Sequence, residues 1–100
     1  MNNTATRRKF TSLDRIDVAP LREAFLRSGL SYADVARAAG WMNRYRGREK
    51  PDGTRVGRAL GLLPCTMPRT GERYLRSSLP YGTAVTIVRA LDLDPVDMGV

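Results

Sequence analysis

The sequence predicts an all-α fold, a compact bundle of four to five helices. Three observations predict it. Apolar residues recur at helical spacing in four separate segments. Capping residues (Asp17, Ser31, Asp52) stand before three of those segments, and glycines (Gly29, Gly40, Gly61) close them. No segment has the length and alternation of a standard strand. One hundred residues suit one domain, with a modest core.

Residues 1–12 are polar and aperiodic, and read as a flexible basic arm; the domain is expected over 13–100. In DVAPLREAFLRSG, Asp17 is placed to cap a helix and Pro20 is tolerated in its first turn. Leu21, Ala24, Phe25 and Ser28 share one face, which predicts a helix over 18–28 ending at Gly29. Ser31 opens SYADVARAAG, and Asp34 can reach back to it as in a capping box. Tyr32, Val35, Ala36 and Ala39 form a narrow stripe whose small residues let another helix come close. Gly40 ends this second helix, and Trp41 is expected to pack into the core.

MNRYRGREKP is too polar for a core element and reads as a loop. Asp52 then caps a third helix over 53–61, with Val56, Ala59, Leu60 and Leu63 on one side and Thr54, Arg55 and Arg58 on the other. Residues 64–79 carry prolines and a Gly-centred turn, and fit either a loop or a small two-stranded wing. Ala84, Ile87, Val88 and Leu91 predict a fourth helix over 80–92. Asp94-Pro95 starts a final turn. The expected core is Leu21, Phe25, Leu30, Val35, Ala36, Trp41, Val56, Leu60, Ile87, Val88 and Leu91.

Seventeen basic and ten acidic residues give a net charge of +7. Fifteen of the basic residues are Arg, a ratio that fits a GC-rich genome. Their placement is more telling. Residues 37–76 are net +7 and residues 1–9 net +3, whereas 10–36 and 77–100 are net −1 and −2. Localised positive charge is the footprint of a phosphate-binding face, and predicts nucleic acid as the partner ahead of an acidic protein or a membrane surface.

Several classes are disfavoured. No apolar run approaches the ~20 residues of a membrane helix. No secretory leader pattern opens the chain. A lone cysteine, Cys65, cannot form an internal disulfide and reads as an apolar filler. With no histidine there is no usual zinc site and no His-dependent nucleophile pair, so no metal, cofactor or catalytic residue is expected. An enzyme is the least expected class.

GLSYADVARAAGW resembles the first half of the helix-turn-helix of Cro/repressor-type DNA-binding domains, through Ser31 at the cap, Ala36 at the crossing and Gly40 at the turn. TAVTIVRALDLDPVDMGV looks like that family's fourth and fifth helices. With TRVGRALGL, the pattern is similar to small immunity repressors of temperate phages from actinobacterial hosts. The resemblance covers 17–61 and 79–100, and implies a lambda-repressor-like bundle in the cytoplasm of a bacterial host cell. One departure stands out: the family's turn of about 3–4 residues is much longer here. Either the turn carries a basic insertion, or the recognition helix starts near Asn43; the capped 53–61 segment favours the first.

What the resemblance implies is a phage immunity repressor or Cro-like protein that occupies an operator on double-stranded DNA. Its recognition helix would aim Thr54, Arg55 and Arg58 at base edges in the major groove, with Gly57 leaving room for close backbone approach. Asn43, Arg44, Arg46, Arg48 and Lys50 in the polar loop are candidate phosphate contacts, and Tyr45 a further hydrogen-bonding group. Ser31 and Tyr32, at a helix start, are candidates too, with capping and core-edge packing as compatible roles. Arg69, Arg73 and Arg76, with Tyr74, are candidates for a second phosphate contact or a wing. Arg7, Arg8 and Lys9 would form a minor-groove arm. No small-molecule substrate is expected. A homodimer, weak or formed only on DNA, stays open. The competing functions are a protein-interaction module, such as an antitoxin or a host-factor-binding phage protein, and a non-specific RNA- or nucleoid-binding protein.

Overall fold

The computed structural model describes residues 14–100; the arm expected over 1–12, with Arg7, Arg8 and Lys9, lies outside them. Two helices form where the spacing places them. Helix α1 spans Ala19–Ser28 and helix α2 spans Tyr32–Ala39. Asp17 accepts from the Ala19 N–H at 2.9 Å, one step earlier than a true cap, since Val18 begins the helical turn. At α2 the capping box forms in both directions: Ser31 Oγ accepts from the Asp34 N–H at 3.1 Å, and the Asp34 carboxylate accepts from the Ser31 N–H at 3.0 Å. Ser28 ends α1, its hydroxyl donating to the Phe25 carbonyl and accepting from the Leu30 N–H.

After Trp41 the chain departs from expectation. Met42–Tyr45 (β2) and Arg48–Pro51 (β3) pair antiparallel, from Met42 opposite Pro51 to Tyr45 opposite Arg48. The link is Arg46-Gly47, with φ of 50° and 75°. Two consecutive positive φ values define the tight hairpin turn whose twist matches paired strands, and glycine takes the second position without strain. Helix α3 follows at once over Gly53–Ala59. Two further pairs complete the strands. Cys65–Thr66 (β4) pairs Arg73–Tyr74 (β5), forming the small wing that 64–79 allowed. Arg15–Asp17 (β1) pairs Ser78–Pro80 (β6), and helix α4 runs from Tyr81 to Ala90.

Among the described residues the fold is therefore four short helices with three two-stranded antiparallel sheets, a mixed α/β architecture. The expected all-α, lambda-repressor-like bundle is wrong, and so is the loop at 42–51. The hairpin escaped notice because neither strand has a buried face: all but Pro51 of its eight strand residues are exposed, so no apolar alternation marks it. The β1–β6 pair escaped because it joins segments of three residues more than sixty positions apart.

Every expected core residue is buried except Leu30, which is 38% exposed in the link between α1 and α2. The core also takes in Val18, Ala59, Leu79, Ala84 and Val100, all buried, with Ile16 of β1 packed against it. Leu79 stands opposite Ile16 across the β1–β6 pair. That pair is fastened by Arg15, which donates to Ser78 Oγ and to the Ser78 carbonyl, and by the Val18 N–H to the Ser77 carbonyl. Cys65 is buried, as an apolar filler would be. No helix among the described residues is long and apolar enough to cross a membrane.

Helices α2 and α3 approach closely, and glycines make the space. A Cβ on Gly53 would lie 3.0 Å from the Tyr32 Cβ, and one on Gly57 2.5 Å from Leu63 Cδ1 and 3.2 Å from the Tyr32 ring. Gly57 is thus buried against the protein's own side chains, and does not open the surface to an approaching partner.

Candidate nucleic-acid interface

Helix α3 presents its polar side outward because Val56, Gly57, Ala59 and Leu60 occupy the inner one. Thr54, Arg55 and Arg58 are exposed, as the spacing predicts. Asp52 holds the start of α3, its Oδ1 accepting from the Arg55 N–H at 3.2 Å. The Asp52 N–H donates in turn to the Trp41 carbonyl at 2.8 Å, so the base of the hairpin is tied to the first turn of α3. The Arg55 guanidinium lies over the Trp41 ring, 4.2 Å from its centroid. Such stacking holds the guanidinium in place while leaving its N–H edges free to donate.

These groups line an open cleft of about 340 Å³ between α3 and the start of α4. Trp41, Asp52, Arg55, Arg58, Ala59, Arg76 and Thr83 form its walls. Among the described residues, the ion pairs are Arg27–Glu23, Arg37–Asp34 and Arg44–Glu49, so Arg55, Arg58 and Arg76 stand outside them and outnumber the one carboxylate of the cleft by three to one. The only carboxylate in the lining, Asp52, is engaged as the α3 cap. Three cations converging on one cleft attract a polyanion, and guanidinium groups donate in pairs to phosphate oxygens or to a guanine edge.

Compared with protein families, curated proteins and solved structures, the chain matches none.

The other candidates fall into separate groups. Asn43, Arg44, Arg46, Arg48 and Lys50 all stand exposed on the hairpin. Arg46 at the tip has its guanidinium 5.3 Å from the centre of the Tyr45 ring, and Arg44 pairs with Glu49 at 3.6 Å. Arg76 joins the cleft, whereas Arg69 and Arg73 are exposed on the wing and do not line it. Ser31 and Tyr32 carry structural duties. Ser31 caps α2, where hydrogen bonds from its backbone N–H and hydroxyl hold the Asp34 carboxyl below its usual value, with Arg37 adding to the effect against a small desolvation cost. Asp34 thereby fills the position an anion would take at that helix end. Tyr32 is half-buried, its ring stacked on Phe25 at 5.3 Å.

Sequence reasoning missed Thr83, which reaches the cleft from the first turn of α4. It favoured the core for Trp41, with stacking on a base as the alternative, and did not foresee a guanidinium over the ring. The ring is buried, but one face supports Arg55. Neither role had a local signal: Thr83 depends on α4 lying beside α3, and Trp41 on the hairpin that returns the chain to it.

Proposed function

We propose that the chain is a sequence-specific, double-stranded-DNA-binding transcriptional regulator that occupies an operator and blocks transcription, in the manner of a phage immunity repressor or Cro-like protein. The carrying observation is the convergence of Arg55 and Arg58, on the exposed side of a capped helix, with Arg76 at a cleft where, among the described residues, Asp52 is the one carboxylate and serves as the α3 cap. Helix α3 acts as the recognition element, Arg55 and Arg58 reading guanine O6 and N7 and Thr54 touching a neighbouring base. Helix α2 buttresses it through the close contact at Gly53 and Gly57. Arg76 takes a phosphate beside the groove, fixing the register of α3 on the duplex. The net positive middle of the chain speeds encounter and adds affinity without sequence preference.

The test is selection from a random duplex library at about 150 mM salt with excess competitor DNA. An enriched motif is expected, and its symmetry reports stoichiometry: an inverted repeat for a dimer, an asymmetric site for a monomer. On the selected site, Arg55→Ala and Arg58→Ala should each weaken binding by about 1–3 kcal/mol. No enrichment, or full affinity in both variants, sinks the assignment.

A further inference from the structure

The β2–β3 hairpin is a ribbon with two unlike faces, and the register separates them. Directly opposed residues of an antiparallel pair share a face, and successive residues alternate. Asn43 opposes Lys50 and Tyr45 opposes Arg48, which places these four on one side. Met42 opposes Pro51 and Arg44 opposes Glu49, which places those on the other. The second face is internally neutralised by the Arg44–Glu49 pair. The first carries two cations, an amide and a phenol, with no acid. Arg46 at the tip adds a third cation. Carried one step further, the alternation puts Trp41 and Asp52, joined by their backbone hydrogen bond, on the same side as Asn43 and Lys50. Those two residues are also walls of the arginine cleft. The cationic ribbon face therefore adjoins the cleft at the Trp41–Asp52 end of the hairpin.

We propose that this ribbon face is a second DNA-reading element, which lies along the duplex beside α3 and extends the site of a single protomer. The inference rests on the function proposed above and assigns the ribbon a role within it. Charge complementarity selects the occupant: the strands offer Arg48 and Lys50 on this face without an acid between them, and Asp52 at its base is the α3 cap, so the face suits a phosphate row. Dimensions agree, since strands of four residues are about 13 Å long, and the B-DNA major groove admits a two-stranded ribbon. Arg48 and Lys50 bind phosphates. Asn43 reads an adjacent base, because its amide can donate to and accept from adenine N6 and N7 at once. The tie between Trp41 and Asp52 holds ribbon and α3 in a fixed relation, so the two elements read a contiguous sequence.

The experiment compares single-charge variants on the two faces, on the wild type's selected duplex. Arg48→Ala and Lys50→Ala should each lower the salt slope of log K by about one. Arg44, a phosphate contact in the sequence-based expectation, lies on the other face beside Glu49 and drops out of the contacts proposed here, so Arg44→Ala removes the same charge from the same exposed ribbon and should leave the slope nearly unchanged. Asn43→Ala should erase the preference at one or two positions flanking the α3 motif, at a cost of about tenfold on the full site. Equal effects of Arg44→Ala and Arg48→Ala would reduce the ribbon to undirected charge and overturn the proposal. So would an unchanged flanking preference in Asn43→Ala. In either case, losses from Arg55→Ala would leave the α3 assignment standing. Failure of the wild type to select any duplex would overturn both.

Discussion

Gly61 shows how much a single residue can carry here. It sits just past α3 at a φ of 71°, a conformation that side chains rarely adopt. A Cβ there would lie 2.4 Å from the Arg76 carbonyl oxygen and 2.9 Å from the Arg22 guanidinium. The same guanidinium donates to the Leu60 carbonyl at 3.4 Å, satisfying an acceptor at the end of α3. Gly61→Ala therefore meets a backbone atom that cannot swing aside, in a backbone conformation it resists. It should cost about 1–3 kcal/mol in urea unfolding. Because Arg76 is on the cleft wall, the proposed function requires that the variant also weaken duplex binding at temperatures where it remains folded. Arg55 is the counterpart on the functional side: its place over Trp41 is legible only once the hairpin brings Trp41 back beside α3.

At the scale of the element, α2 and the ribbon are stabilised by opposite means. Helix α2 spans only eight residues and depends on its ends. Ser31→Ala removes one half of the capping box and should cost about 1 kcal/mol. The other half depends on pH. The Asp34 carboxyl titrates below its ordinary value of 3.8 in the folded chain. Its contribution is then fully present above that value and is lost as pH falls through the lower, folded-state value. Acid titration of stability should show this loss in the wild type and a smaller one in Asp34→Asn. The ribbon has no such cap and no apolar face. Its order comes from the Arg46-Gly47 turn and from the Trp41–Asp52 tie at its base. Turn chemistry of this kind is written in two residues, and Arg is an uncommon first partner for Gly, so the sequence reads there as a polar loop.

Across the whole molecule, one buried cluster joins all four helices to the β1–β6 pair. Leu79 of β6 and Phe25 of α1 are both in it, though they lie on different elements. Leu79→Ala and Phe25→Ala should each cost about 2–5 kcal/mol. If the cluster is one cooperative unit, both variants should shift a single thermal transition detected equally by far-ultraviolet and tryptophan signals. A split transition in Leu79→Ala would mean that the β1–β6 pair melts separately. The charge is arranged at this scale too. The positive middle of the chain contributes the ribbon and the cleft, and the acidic end beyond α4 contributes Asp92, Asp94 and Asp97, all exposed and absent from the cleft lining.

The four helices, the capping box, most of the core and the outward side of α3 are legible in the sequence. Each is a local or periodic property, set by residues at most a few turns apart, so spacing and capping chemistry suffice to read it. The mixed α/β class, the β1–β6 closure, the two faces of the ribbon, and the meeting of Arg55, Arg58, Arg76 and Thr83 around Trp41 emerge only when the chain folds. These depend on strand pairing and on contacts between distant segments. Strands of two to four residues with no buried face leave no periodic trace, and a cleft assembled from separate elements exists only after the chain has closed around its core.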